Sequence, residues 1–286
     1  MRNIFSSVSL VAAALTVGTS CGGGRSSNNE IPRLEFVKDQ FGVVTRINPH
    51  EKSVFLIFTG HFKDDGSFEN FDGAEFVVNV LNEHGVKGSF FPTGIVHDQE
   101  QYQQVLRDIV AQGHYLSGHS FAHLLLHPKE DRNVNLVSAD SIAYDDLKMQ
   151  AVLQRLGLSF DQYIWMVPPY ETVNQYSADA YRALGYRLAN PTEGLITHRD
   201  WHAPGHPSYL SAEQLINNIW EFEREHTLNG AILLIHAMDY PTRTDEDRPY
   251  RHLARIITGI KELGYDFKTF FDVIELENKI KKATAP

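Results

Sequence analysis

Cysteine is almost missing from this chain: Cys21 is the single one in 286 residues. A disulfide scaffold is therefore excluded. Basic residues are in deficit, with 26 Lys and Arg against 36 Asp and Glu and a net charge of −10 at pH 7. That balance argues against nucleic acid or an anionic surface as the main partner. No apolar run reaches the ~20 residues that cross a bilayer. No glycine-rich dinucleotide fingerprint follows the first strong strand candidate, Val54–Phe58, which disfavours a Rossmann sheet. What is there is ordinary for a globular protein, 42% hydrophobic and 22% charged residues, so wholesale disorder is excluded. The length fits one large domain or two small ones.

Residues 1–20 carry one charge, Arg2, followed by the apolar run Val8–Val17. That run has the length of a signal-peptide core. Gly18-Thr19-Ser20 supplies small residues just before Cys21, and the stretch resembles a bacterial lipoprotein lipobox with Cys21 as the acylated residue. Gly18 stands where that pattern usually has Leu. The expected organisation is a lipoprotein signal peptide over 1–20, a Gly/Ser/Asn-rich tether and lead-in over 21–48, and a folded domain over 49–286. The alternative is an ordinary signal peptide with an incidental cysteine.

The body alternates strand and helix signals. Val54–Phe58 and Ala231–Ile235 are unbroken apolar runs, suited to parallel strands buried on both faces. Ala74, Val77, Val78 and Leu81 share one helix face, as do Leu253, Ile256, Ile257 and Ile260. Gly85, Gly113, Gly157, Gly185, Gly230 and Gly264 recur where a helix should stop. Short strand candidates follow them: Gly88–Pro92, Tyr115–Gly118, Tyr163–Val167, Arg187–Ala189, Ala231–Ile235 and Phe267–Phe270. About seven strand–helix units result, and the predicted fold is α/β, a distorted (β/α) barrel of parallel strands.

In such a barrel, chemistry sits at the C-terminal ends of the strands. His61, Asp64 and Asp65 follow the first strand, His119 and His123 the third, Pro168-Pro169-Tyr170 the fourth and His236 the run Ala231–Ile235. The 14 histidines form four pairs spaced by four, 119/123, 123/127, 198/202 and 202/206, where chance gives about 0.7. Spacing alone therefore selects none. Position favours His119 and His123, which a helical turn after a strand would align. Pro204 and Pro207 break any helix that would align the 198/202/206 set.

These residues resemble the polysaccharide deacetylase family (NodB-homology domain, carbohydrate esterase family four) over roughly residues 50–275. His119-Ser120-x-x-His123 is similar to its H-[ST]-x-x-H metal motif, Val167-Pro168-Pro169-Tyr170 to R-P-P-Y, Asp200-Trp201 to the end of D-x-x-D-W, and Leu233-Leu234-Ile235-His236 to L-x-x-H. The family's T-F-D-D-G motif is divergent. The strand ends Thr59-Gly60-His61, and Asp64-Asp65-Gly66 lies about five residues late. Two arrangements stay open: a bulged loop with Asp64 as base and Asp65 as metal ligand, or His61 as third ligand with Asp65 as base. A turn role for Asp-Asp-Gly is the plain alternative. Val167 replaces the Arg that in the family orients the base.

The resemblance implies removal of an acetyl group, N- or O-linked, from a glycan or polysaccharide with a divalent ion, Zn²⁺ foremost. His119, His123 and His61 or Asp65 would hold the ion. An aspartate would take the proton of the attacking water, and His236 would protonate the leaving group. Asp200 would keep His236 cationic. Tyr170 and Trp201 would offer aromatic faces to a sugar, with plain core packing as the alternative for both. The partners expected are an acetylated glycan and, through Cys21, the membrane of a bacterial cell envelope, with no nucleic acid. Two other classes remain: a metal-dependent amidase acting on a small molecule, and a non-catalytic glycan-binding lipoprotein.

Overall fold

The computed structural model describes residues 33–64 and 69–284. All seven expected strands form: β3 (Ser53–Gly60), β4 (Ser89–Pro92), β5 (Tyr115–Leu116), β6 (Trp165–Met166), β7 (Arg187–Leu188), β8 (Ala231–His236) and β9 (Asp266–Lys268). Two more precede them, β1 (Phe36–Lys38) and β2 (Val44–Ile47), inside the segment read as lead-in. They are short and mixed in polarity, so no period marks them; pairing to β8 supplies the missing hydrogen bonds. The helices are α1 (Ala74–Glu83), α2 (Gly94–His97), α3 (Gln103–Ala111), α4 (Ala139–Arg155), α5 (Gln175–Ala183), α6 (Ala212–His226), α7 (Leu253–Glu262) and α8 (Phe270–Thr284). Among the described residues no helix is long and apolar enough to cross a membrane.

The main sheet runs β1-β2-β8-β3-β4-β5, with β9 also on β3, while β6 and β7 form a separate pair. β8 lines one edge of β3 from Val54 to Thr59. β4 and β9 share the other edge, along Ile57–Gly60 and Ser53–Phe55. All pairs except β1–β2 and β2–β8 are parallel. The result is a curled, incomplete (β/α) barrel.

Every residue of β3 is buried, because alternate side chains serve two cores. Val54, Leu56 and Phe58 join Leu233 and Ile235 in the layer packed on α1 and α7. Phe55 and Ile57 join Ile232, Leu234, Phe91 and Trp165 inside the barrel. Phe270, the first residue of α8, plugs that interior, with ring centroids 5.3–5.9 Å from Trp165, Tyr115, Phe91 and Phe55.

No backbone ladder joins β5 to β6; side chains bridge them instead. The Tyr115 hydroxyl donates to the Trp165 carbonyl and accepts from the Trp165 N–H, both at 2.9 Å. Ser117 Oγ donates to the Tyr163 carbonyl at 2.8 Å. On the far side, Val44 bridges to Ala189, and Thr192 ties the loop after β7 to Thr45 and Ile232.

Five of the six glycines expected at helix ends sit there with positive φ, at 85, 113, 157, 185 and 264. Gly230 differs: α6 has already ended at His226, and Gly230 turns the chain into β8. A Cβ there would lie 2.0 Å from the Ile47 carbonyl oxygen, at φ +64°. Gly230→Ala is therefore expected to cost about 2 kcal/mol or more. Gly85→Ala, with φ +62° and nothing within 4 Å, should cost only about 1 kcal/mol. Chemical denaturation of the two variants checks this; equal midpoints would show that the β2–β8 junction yields freely.

Candidate functional site

Three imidazoles meet at the C-terminal rim. His61 follows β3, and His119 and His123 lie in the loop after β5. The His61 and His123 ring centroids are 4.6 Å apart and those of His119 and His123 5.1 Å. All three rings sit on loops, and the helical turn expected between His119 and His123 does not form. Ser120 and His123 have φ of 64° and 54°. A buried carboxylate from α4 captures the loop instead: Asp145 accepts from Ser120 Oγ (2.9 Å), Phe121 N–H (2.7 Å) and Ala122 N–H (2.9 Å). The first turn of α2 adds Gly94 and Ile95 N–H groups, which donate to the Ser120 and Phe121 carbonyls.

Each ring is held differently. His119 Nδ1 donates to the Val167 carbonyl at 2.8 Å, which fixes its tautomer and leaves the Nε2 lone pair free. His61 Nδ1 pairs with Thr93 Oγ1 at 2.9 Å. His123 Nδ1 is buried without a hydrogen-bond partner, and Tyr170 stacks on its ring at 4.1 Å and 19°. Burial drives the His119 pKa down to about 3 and that of His123 well below its usual value. Both imidazoles are therefore neutral at pH 7, the form that ligates metals. His127, the remaining partner in the 119/123/127 series, is engaged otherwise, by the Pro128 carbonyl and Thr172 Oγ1.

Three carboxylates belong to this rim. Glu69 Oε2 is 3.6 Å from His61 Nε2 and 2.6 Å from Lys63 Nζ. Glu171 Oε1 is 3.6 Å from His119 Nε2, and burial raises its pKa to about 7 against the attraction of His236. Asp200 embraces His236: Oδ1 accepts from Nδ1 at 2.5 Å and Oδ2 from the backbone N–H at 3.1 Å. A 3-10 turn, Thr197–Trp201, presents Asp200, anchored by Thr197 Oγ1 on the Leu234 carbonyl.

Of the other residues expected here, Asp64 is exposed on the loop after β3; Asp65 and Cys21 lie outside the described residues. Tyr170 and Trp201 are half exposed, at 44% and 46%. Trp201 lies tilted on His202 at a centroid spacing of 3.7 Å, and His202 stacks on His206 at 4.1 Å. The strand end offers no carboxylate. Thr59 is buried, and a Cβ on Gly60 would lie 2.2 Å from Phe71 Cδ2. Val167 is fully buried, and its carbonyl rather than its side chain serves the site.

Glu69 and Glu171 escaped the sequence reading. Glu171 directly follows the Pro-Pro-Tyr segment, and that adjacency was the only signal available. As a metal centre, the donor chemistry fits: neutral imidazoles, one tautomer locked, and a buried ring nitrogen without a partner. Among the described residues, however, no group of three or more His, Cys, Asp or Glu is drawn together tightly enough to be a formed ion cage.

His236 is held above its usual pKa. Burial lowers it, but the charge and hydrogen bond of Asp200, with Glu171 behind them, outweigh that. A raised pKa means the pairing stabilises the fold most at low pH, and that gain fades as pH rises through the raised value. In Asp200→Asn the burial effect prevails, so the His236 titration midpoint is expected to fall below the usual 6.5. Imidazole proton NMR across pH 4–9 checks this; an unchanged midpoint would mean that Asp200 does not set the charge on His236.

A family model described as polysaccharide deacetylase matches residues 46–189. The chain is 26% identical over 255 residues to the peptidoglycan-N-acetylmuramic acid deacetylase PdaA of Bacillus subtilis (strain 168), covering 87% of this chain and 83% of that protein. Among solved structures it is similar in fold to a CE4 family pseudoenzyme from Bacillus anthracis, with TM-score 0.58 and 20% identity over 81% of this chain and 68% of that one. It is also similar to a family 4 acetyl xylan esterase from Clostridium thermocellum in complex with a cobalt ion, with TM-score 0.56 and 22% identity over 79% and 92%. Half the chain lies within the family match, and with that the chain belongs to the polysaccharide deacetylase family.

Proposed function

We propose that the chain is a metal-dependent hydrolase that removes acetyl groups from a polysaccharide or other glycan. The observation that carries this reading is the His236–Asp200 pair at 2.5 Å, at the same rim as three clustered imidazoles. His119, His123 and His61 are the residues that would hold a divalent cation, zinc foremost. Such an ion supplies a water of lowered pKa and polarises the acetyl carbonyl.

The chain's own groups do the rest. Asp200 holds the Nδ1 proton of His236, so Nε2 delivers a proton to the departing amine or hydroxyl. A carboxylate takes the proton of the attacking water; Asp64, Asp65 and Glu171 are the candidates. Tyr170 and Trp201 present half-exposed aromatic faces against which a sugar ring stacks. A second reading, a glycan-binding protein without turnover, draws on one observation: the strand end carries Thr59 and Gly60 and no carboxylate.

The zinc-loaded chain is tested on an acetamido-sugar oligomer and on an aryl acetate. His119→Ala and His123→Ala should lose bound metal. His236→Ala should keep its metal while kcat on the amide falls ~10²–10⁴-fold, and fall less on the ester, whose leaving group needs no proton. Unchanged metal content in both imidazole variants would sink the metal assignment, and equal losses on the two substrates would sink His236 as the acid. Wild type that binds the oligomer without turnover would establish the second reading.

We further propose that Cys21 is lipidated and anchors the chain in a bacterial cell envelope, on the basis of the apolar run and the Gly-Thr-Ser-Cys sequence. Clickable fatty acid fed to a bacterial host should label wild type and not Cys21→Ser. Equal labelling of the two would refute it.

A further inference from the structure

Glu171 stands within the histidine cluster, on the 3-10 turn Pro169–Glu171 that follows β6. Its side chain is only 18% exposed, and Oε1 lies 3.6 Å from His119 Nε2. To reach that point the backbone adopts a conformation that favours glycine. Tyr170 has φ 58° and Glu171 φ 52°, two successive left-handed residues with side chains.

Neighbouring groups hold this conformation. Glu171 N–H donates to the Pro168 carbonyl at 3.0 Å, and Asn190 Nδ2 donates to the Glu171 carbonyl at 2.8 Å. What the strained turn achieves is placement: the Tyr170 ring on His123, and the Glu171 carboxylate beside His119 and facing the charge of His236.

The end of β3 cannot provide an equivalent group. Thr59 is buried, and any side chain at Gly60 would collide with Phe71 at 2.2 Å. Asp64 is out in solvent on the loop beyond, whereas Glu171 is largely buried at the rim on a turn braced at both its N–H and its carbonyl.

We propose that Glu171 is the general base of this site, its carboxylate accepting the proton of the water that attacks the acetyl carbonyl carbon. The inference rests on the deacetylase reading above. As the water oxygen bonds to that carbon, its O–H bond breaks and the proton passes to Glu171. The C–N or C–O bond then breaks with its electron pair on the departing atom, which takes a proton from His236 Nε2. The products are the free amine or hydroxyl and acetic acid. Glu171 returns its proton to solvent, and His236 regains one.

The test uses the full chain loaded with zinc, the acetamido-sugar oligomer as substrate, and two variants. In Glu171→Gln, kcat should fall ~10²–10⁴-fold with metal content and melting temperature as in wild type. In Glu171→Gly, kcat should fall as far while the melting temperature holds or rises, because glycine takes positive φ without strain. That separation of activity from stability is one that a purely structural glutamate does not produce. Wild-type kcat in Glu171→Gln would overturn the assignment. So would loss of zinc alongside activity, which makes Glu171 a ligand, or a lower melting temperature in Glu171→Gly. Wild type inactive on every acetylated substrate is a separate outcome, which defeats the deacetylase reading and this assignment with it.

Discussion

One hydrogen bond joins the architecture of this protein to its chemistry: His119 Nδ1 to the Val167 carbonyl, at 2.8 Å. β5 and β6 make no backbone ladder, and the gap is spanned by side chains from alternate residues, Tyr115, Ser117 and His119. Period two along an extended segment puts all three on one face. The first two rungs close the barrel wall. The third does the same and also fixes which imidazole nitrogen faces the rim. The β5–β6 junction and the tautomer of His119 therefore depend on the same contact, and Val167 contributes through its backbone while its side chain packs in the interior.

Backbone strain gathers around that contact. Of six non-glycine residues with positive φ among the described residues, four are Ser120, His123, Tyr170 and Glu171, in the two segments that meet at the imidazole cluster. Such conformations persist only where the surroundings over-determine them. Asp145 does so for the first segment through three hydrogen bonds. The Pro168 carbonyl and Asn190 do so for the second. Asp145 comes from α4, well removed in sequence, so α4 shapes the histidine loop through that one carboxylate.

Electrostatics divides the rim into two parts. Burial keeps His119 and His123 neutral, while Asp200 keeps His236 biased toward its charged form. The same residue type is thus shifted in opposite directions within one rim, and the difference is a carboxylate 2.5 Å from one ring. Glu171 lies between the two parts, near enough to feel the charge of His236. Under the proposed deacetylase reading, the neutral imidazoles would hold the ion and His236 would donate the proton.

The sequence alone determined the elements whose signals are local. Unbroken apolar runs located β3 and β8, apolar periodicity located α1 and α7, and glycines marked five helix ends, because burial on both faces, a 3.6-residue period and positive φ each leave a mark within a few residues. It also singled out His119, His123, Asp200 and His236, which stand at strand ends or in recognisable order. Tertiary structure alone decided the rest. β1 and β2 exist because β8 offers an edge. The loop from His119 to His123 turns through positive φ at Ser120 and His123 while Asp145 captures the N–H groups between them. His61 comes within 4.6 Å of His123 with its Nδ1 held by Thr93 Oγ1 at the end of β4. Glu171 reaches His119 through two positive φ angles that no pattern announces. Each of these depends on a partner distant in the chain, and the energy that fixes it exists only once the elements have packed together.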